Sequence, residues 1–451
     1  MSIGTTSTDL VDFDGQYYSV DGTLLVTSKS GEYITFSGGG ATTVKNADDS
    51  ITFATGTIVS GQNLTINSTG GAVSIASVMG SGTATTLTIN ADKTAGGSAD
   101  TDETVSIGAI GDANEIGAVL IDAHDGITLT GNITLADAAG ADLDLDGKVL
   151  INGDVTIDTD NTTNDGTIDF ETTIDGADGT GDDLVILAGD NDGDGTPGGA
   201  LTLGGSIGDT TALSTLKINA TAGDIALTIP QIGGGGAAGV SGQVDIGNSN
   251  TASISMGSDT YDFGSGNVTL IGNTTFTQAT PTVDMINASG DGGDFKITGT
   301  LTLNNGLLDV NTKGGNIEIT GNITSAGVDE ALTLDDGTGT GTITLGGTVS
   351  TGDITLIGDS GISLSGDITS NKTGSAGAIA FTGPVTLADT ASDSVTIDAD
   401  QHASTTVTFN STATVNAAGA GGQSLTIDTD GGAIAMQGAI GGSTALSALT
   451  I

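Results

Sequence analysis

The sequence predicts an all-β fold, a three-sided parallel right-handed β-helix (β-solenoid) of about 18 rungs with about 24 residues each. Two observations carry this expectation. A seven-residue phrase, apolar-x-apolar-x-Gly-x-apolar, recurs along the chain, and the composition is that of many short strands joined by many tight turns.

The phrase reads Ile127–Ile133, Val149–Val155, Leu201–Ile207, Phe295–Leu301, Ile317–Ile323, Ile343–Val349, Ile362–Ile368, Ile379–Val385 and Ile434–Ile440. A unit repeated this often at intervals of tens of residues marks stacked supersecondary units, because one copy cannot bury its apolar face alone. Alternation of period two puts apolar side chains on one face and Thr, Ser or Asp on the other. The Gly falls where the chain turns between two faces of the coil, a place that favours a residue without Cβ.

The composition agrees. Among 451 residues there are 76 Gly, 4 Pro, no Trp and no Cys. All 8 basic residues are Lys, and of the 55 acidic residues only six are Glu. Asp, Asn, Gly, Ser and Thr are turn residues, because Asx side chains bond their own backbone and Gly takes positive φ freely. The helix formers are scarce.

Residues 1–33 differ from the rest, holding Tyr17, Tyr18, Tyr33, Phe13 and the run Leu24-Leu25-Val26. They read as an N-terminal cap, since a solenoid needs a distinct terminal unit over its first rung. Residues 34–451 read as the solenoid, with apolar-x-apolar rung leaders from Ile34 to Ile434. A longer phrase at 108–121 and 205–218 returns at 438–451, so the last copy stops in mid-rung. That ending predicts either a longer parent chain or a unit that stacks end to end through an open β edge.

The formal charge of −47 argues against nucleic acid and anionic membrane surfaces as partners, because both need a basic face. It favours cations, or simply keeps a long apolar-cored protein dispersed. No membrane insertion is expected, because no apolar run approaches the roughly 20 residues that span a bilayer. Absence of Cys fits an oxidising exterior, and the first residues carry neither a basic n-region nor an apolar h-region of a signal peptide.

The most specific candidate site is Asp190-Asn-Asp192-Gly-Asp194-Gly195, whose alternate carboxylates and following Gly match the start of a calcium loop. Position 201 is Leu where an EF-hand closes with Glu, so no EF-hand is expected. Upstream, Gly179-Thr-Gly-Asp-Asp183-Leu-Val185 is similar to a calcium-binding nonapeptide repeat, which makes Asp183 a further metal candidate. The competing reading of both is an acidic surface excursion. No cofactor besides Ca2+ is expected.

Catalysis is not expected. His124 and His402 are the two side chains whose ordinary pKa suits proton transfer at neutral pH, and they lie many rungs apart. Pairs of Asp at glycosidase spacing must occur by accident among so many carboxylates. Outward Thr at 128, 298, 344 and 355 is ordinary strand propensity rather than an ice- or crystal-binding array.

These phrases, with Leu425–Met436 and Gly352–Leu356, resemble the β-strand-repeat regions of large bacterial surface proteins, the filamentous-haemagglutinin-like adhesins and giant secreted matrix or surface-layer proteins. The resemblance covers residues 34–451 and implies an extracellular, cell-surface location. It also implies a non-enzymatic structural or adhesive role in attachment, biofilm or envelope matrix, with an unidentified surface or glycan ligand. The alternatives are a self-assembling filament, sheath or surface-layer subunit, and a carbohydrate-active β-helix enzyme. Polysaccharide lyases of that fold typically use an Arg or Lys base, and this chain has no Arg.

Overall fold

The computed structural model describes residues 1–451 except 48, 81–84, 92–102, 112–113, 162, 190–198, 222–225, 235, 250, 252, 286–291, 328, 373–375, 390–393, 400–403, 420–421 and 430. All regular structure among the described residues is β-strand, and every strand-to-strand ladder is parallel, as in a β-solenoid. The chain divides into two compact units, Met1–Ile225 and Ala226–Ile451.

In the first unit the coil has three ladders. One stacks Val26, Phe53, Ile75, Ile107, Leu129 and Ile151 in register. The second stacks Val11, Ile34, Ile58, Val78, Ile110 and Ile133. The third has eight strands and runs through Val44, Ile66, Ile89, Ile121, Leu145 and Phe170. Residues 1–33 supply the first strand of each ladder, with Phe13 stacked on Phe36 at a centroid distance of 5.0 Å.

The second unit repeats the plan. Its first ladder stacks Val244, Val268, Phe295, Ile317, Ile343, Ile362, Val385 and Val415. Its second runs through Leu301, Ile323, Val349 and Ile368. Its third joins Tyr261, Val283, Val310, Leu334, Leu356, Phe381, Phe409 and Met436. Apart from Met436, which is half-buried, these side chains are almost fully removed from water. Each contributes about 1.5–3 kcal/mol, which is how strands of three or four residues become stable.

Each unit has eight strands in its third ladder, giving about 16 turns in place of the expected 18. The difference has a geometric cause. Ile127–Ile133 runs from the first ladder to the second, as does Ile362–Ile368. Leu201–Ile207 and Ile379–Val385 run instead from the third ladder to the first. The phrase therefore marks a corner, two of the three corners use it, and one turn can carry more than one leader.

At most copies of the phrase the glycine is required by close approach, while at Gly153 there is open space and a positive φ of 91° favours it instead. A Cβ on Gly321 would lie 2.4 Å from the Gly299 carbonyl oxygen, and one on Gly299 would meet Gly272 in the same way, with φ at Gly299 of 144°. Corners in neighbouring turns thus pack backbone directly on backbone, where no side chain fits.

Candidate functional site

With the apolar positions inside, whatever the molecule recognises must lie on its outward rows and corner loops. Among the described residues, one organised outward feature is a cleft of about 280 Å³ on the first ladder of the second unit. It forms because register alignment puts Thr269, Lys296, Glu318 and Thr344 in one outward row. Lys296 Nζ lies 2.9 Å from Glu318 Oε2, and with both side chains 40% exposed the pair is weakly stabilising.

One wall of the cleft is a column of side chains that sequence reasoning missed. The Asp294 N–H donates to Asn267 Oδ1 at 3.0 Å, the Asn316 N–H to Asp294 Oδ1 at 2.8 Å, and the Thr342 N–H to Asn316 Oδ1 at 3.0 Å. Asn316 Nδ2 and Thr342 Oγ1 add second bonds to the same oxygens at 2.9 and 2.8 Å. The corner before each strand is too sharp for the backbone ladder to satisfy every N–H, so a side-chain oxygen one turn below does it. The signal was present in the sequence as Asn, Asp or Thr placed immediately before an apolar-x-apolar pair. Asn273–Thr300, Asn322–Thr348 and Asn132–Thr156 repeat the device at other corners.

Two acidic columns lie on third ladders. In the first unit Asp144 pairs in register with Asp169, and Asp122 with Asp146. Burial, reinforced by Asp169 and Asp146, raises the Asp144 carboxyl above the ordinary carboxylate range. Asp169 first, then Asp146, does the same to the exposed Glu171. In the second unit Asp262 and Asp284 are register partners, and Lys313 Nζ reaches Asp284 Oδ1 at 3.1 Å. Asp262 is raised by burial and by Asp284, against the Gly236 N–H that lowers it. Asp309 is raised by burial, then by Asp335 and Asp284, with Lys313 opposing. The carboxylates form rows rather than cages, and among the described residues no group of three or more His, Asp or Glu is arranged to hold a metal ion.

Of the expected metal ligands, Asp190, Asp192 and Asp194 lie outside the described residues. Asp183 opens a strand, and its Oδ1 accepts the Thr215 hydroxyl of the next turn at 2.8 Å. Its neighbour Asp182 is 1% exposed. Asp182 Oδ1 accepts the Gly153 N–H at 3.1 Å, and Oδ2 accepts those of Asp178 and Gly179 at 3.1 and 3.0 Å. The Gly-Thr-Gly-Asp-Asp stretch is therefore organised by backbone donors converging on the Asp182 carboxylate, which fixes the turn. His124 is exposed in a turn, and His402 lies outside the described residues.

Buried polar groups elsewhere also serve the architecture. Asp175, 1% exposed, accepts the Thr210 N–H at 2.9 Å on Oδ1 and meets Lys148 Nζ at 2.9 Å through Oδ2. Tyr261 is fully buried, its hydroxyl accepting the Ser258 N–H at 2.8 Å and donating to the Ile229 carbonyl at 3.2 Å. Comparison with known proteins found no matching family model, no matching curated protein and no matching solved structure.

Proposed function

We propose that this chain is a non-enzymatic structural and adhesive segment of a secreted bacterial cell-surface protein, serving attachment, biofilm or envelope matrix. The observation that carries the reading is how the repeat is used: its apolar residues fill the core, its Gly lets corners touch, and its Asx and Thr residues tie one turn to the next. The remaining outward surface is periodic, polar and anionic, suited to many weak contacts along a partner rather than to one reaction. The Thr269–Lys296–Glu318–Thr344 cleft is the place where a glycan or other surface ligand would lie. Antibody against the chain should label intact, unpermeabilised cells of the source organism, and surface proteolysis should remove the label. Labelling that needs permeabilisation would overturn the reading.

Calcium belongs to this proposal as a brace on the acidic stretch of sequence carrying Asp190, Asp192 and Asp194, which match the start of a calcium-binding motif. Millimolar calcium is expected to raise the melting temperature, and Asp192→Ala with Asp194→Ala to remove most of the gain. An unchanged melting curve on adding calcium rules the brace out.

A further inference from the structure

The chain contains two Asn-Gly dipeptides, Asn152-Gly153 and Asn305-Gly306, and the structure treats them oppositely. Asn-Gly is the dipeptide at which an asparagine side chain is most open to attack by the following backbone nitrogen, since Gly offers no side chain to block the approach. Whether attack occurs depends on how the fold holds the two groups.

At the first dipeptide the nucleophile is occupied. The Gly153 N–H donates to the buried carboxylate of Asp182 at 3.1 Å. A hydrogen bond to an anion stabilises the protonated amide, and it must be broken before the nitrogen can turn toward Asn152.

At the second dipeptide both partners are free. Asn305 is exposed, and neither its side chain nor the Gly306 N–H makes a hydrogen bond among the described residues. The flanking amides are engaged: the Asn304 N–H donates to the Phe276 carbonyl at 2.9 Å and the Leu307 N–H to the Ala279 carbonyl at 3.0 Å. The dipeptide is therefore pinned at both ends and unbonded in the middle. Asn305 also has φ of 141°, a backbone conformation that side-chain-bearing residues rarely adopt. Gly306 is fixed as glycine by the fold, because a Cβ there would lie 1.8 Å from the Ala279 carbonyl oxygen.

We propose that Asn305–Gly306 is a self-modification site, at which the folded chain converts Asn305 to aspartate and isoaspartate with water as the only co-reactant. The Gly306 nitrogen loses its proton to solvent base and attacks Asn305 Cγ. The new C–N bond closes a five-membered succinimide, and the side-chain nitrogen leaves as ammonia. Water then opens the ring. Addition at Cγ gives aspartate, and addition at the backbone carbonyl gives isoaspartate, in which the chain continues through Cγ. Either product carries one more negative charge. The isoaspartyl product also adds a methylene to the short connection between strands Leu301–Leu303 and Leu308–Asn311.

The test is incubation of the full chain at mildly alkaline pH, folded and in urea, followed by tryptic mapping of the peptide 297–313 and of the peptide containing Asn152. In the folded chain Asn305 is expected to convert at least about tenfold faster than Asn152, a ratio equivalent to roughly 1.4 kcal/mol and so within reach of one charge-assisted hydrogen bond. In urea the two sites should convert at comparable rates, and Asn305→Gln should abolish the change in 297–313. Equal rates in the folded chain, or an intact Asn305 there while the unfolded chain converts, would overturn the proposal.

Discussion

Replacing Asp182 by Ala is expected to destabilise the first unit by about 3 kcal/mol, the largest effect of any single polar substitution in that unit. The carboxylate accepts three backbone N–H groups from two turns of the coil, those of Gly153, Asp178 and Gly179. Truncation leaves them without an acceptor. An unpaired buried donor costs about 1–3 kcal/mol, and the sum is moderated because water reaches the exposed side of the Asp178 turn. Asp182→Asn keeps one oxygen and should cost about half as much. The adjacent Asp183→Ala loses a single hydroxyl bond and should stay below about 1 kcal/mol. Urea unfolding followed by circular dichroism checks the series, and equal effects of the two Ala variants would refute the role given to Asp182.

The second large effect concerns pH. Asp336 is fully buried in a corner of the second unit, with Oδ1 accepting the Asp359 N–H at 3.1 Å and Oδ2 without a hydrogen-bond partner. Burial, opposed by the hydrogen bond from the Asp359 N–H and reinforced by the charges of Asp359 and Asp335, pushes its carboxyl from 3.8 up to about 6. The folded chain therefore holds this proton more tightly than the unfolded chain. The resulting stability is fully present below the unfolded value of 3.8 and is lost as pH rises through about 6. The span corresponds to about 3 kcal/mol. Asp262 and Asp309 of the same unit are raised as well, as are Asp144 and Asp158 of the first, and all push in the same direction. Mild acidification is thus expected to stabilise the second unit, the reverse of ordinary acid denaturation. Asp336→Asn should raise stability near neutral pH and flatten the slope between about pH 4 and 7. A variant with the wild-type slope would show that another group is responsible.

The strands were legible in the sequence because period-two alternation needs no long-range information. Pairs as far apart along the chain as Ile51/Phe53 and Val407/Phe409 are strands whose apolar members are buried. Ladder membership was not legible, because it depends on loop length. Ile379 belongs to the third ladder and Ile362 to the first, and nothing local distinguishes them. Register offsets in one ladder range from 19 residues between Ile343 and Ile362 to 30 between Val385 and Val415. The candidate site was legible only in part. Asp183 stood out by motif, while the buried anchor is Asp182, and the cleft beside Lys296 requires knowing which strands are neighbours.

The Asn267–Asp294–Asn316–Thr342 column has a direction. Each side-chain oxygen accepts from the turn that follows it in sequence. A completed turn therefore presents a waiting acceptor to the segment that has yet to fold, and the incoming residue finds its register by satisfying that acceptor. In a quasi-one-dimensional protein, where each repeat touches only its neighbours, such a bias favours growth by addition to a formed turn. Folding of this column can thus be vectorial, proceeding from the N-terminal side as successive segments become available.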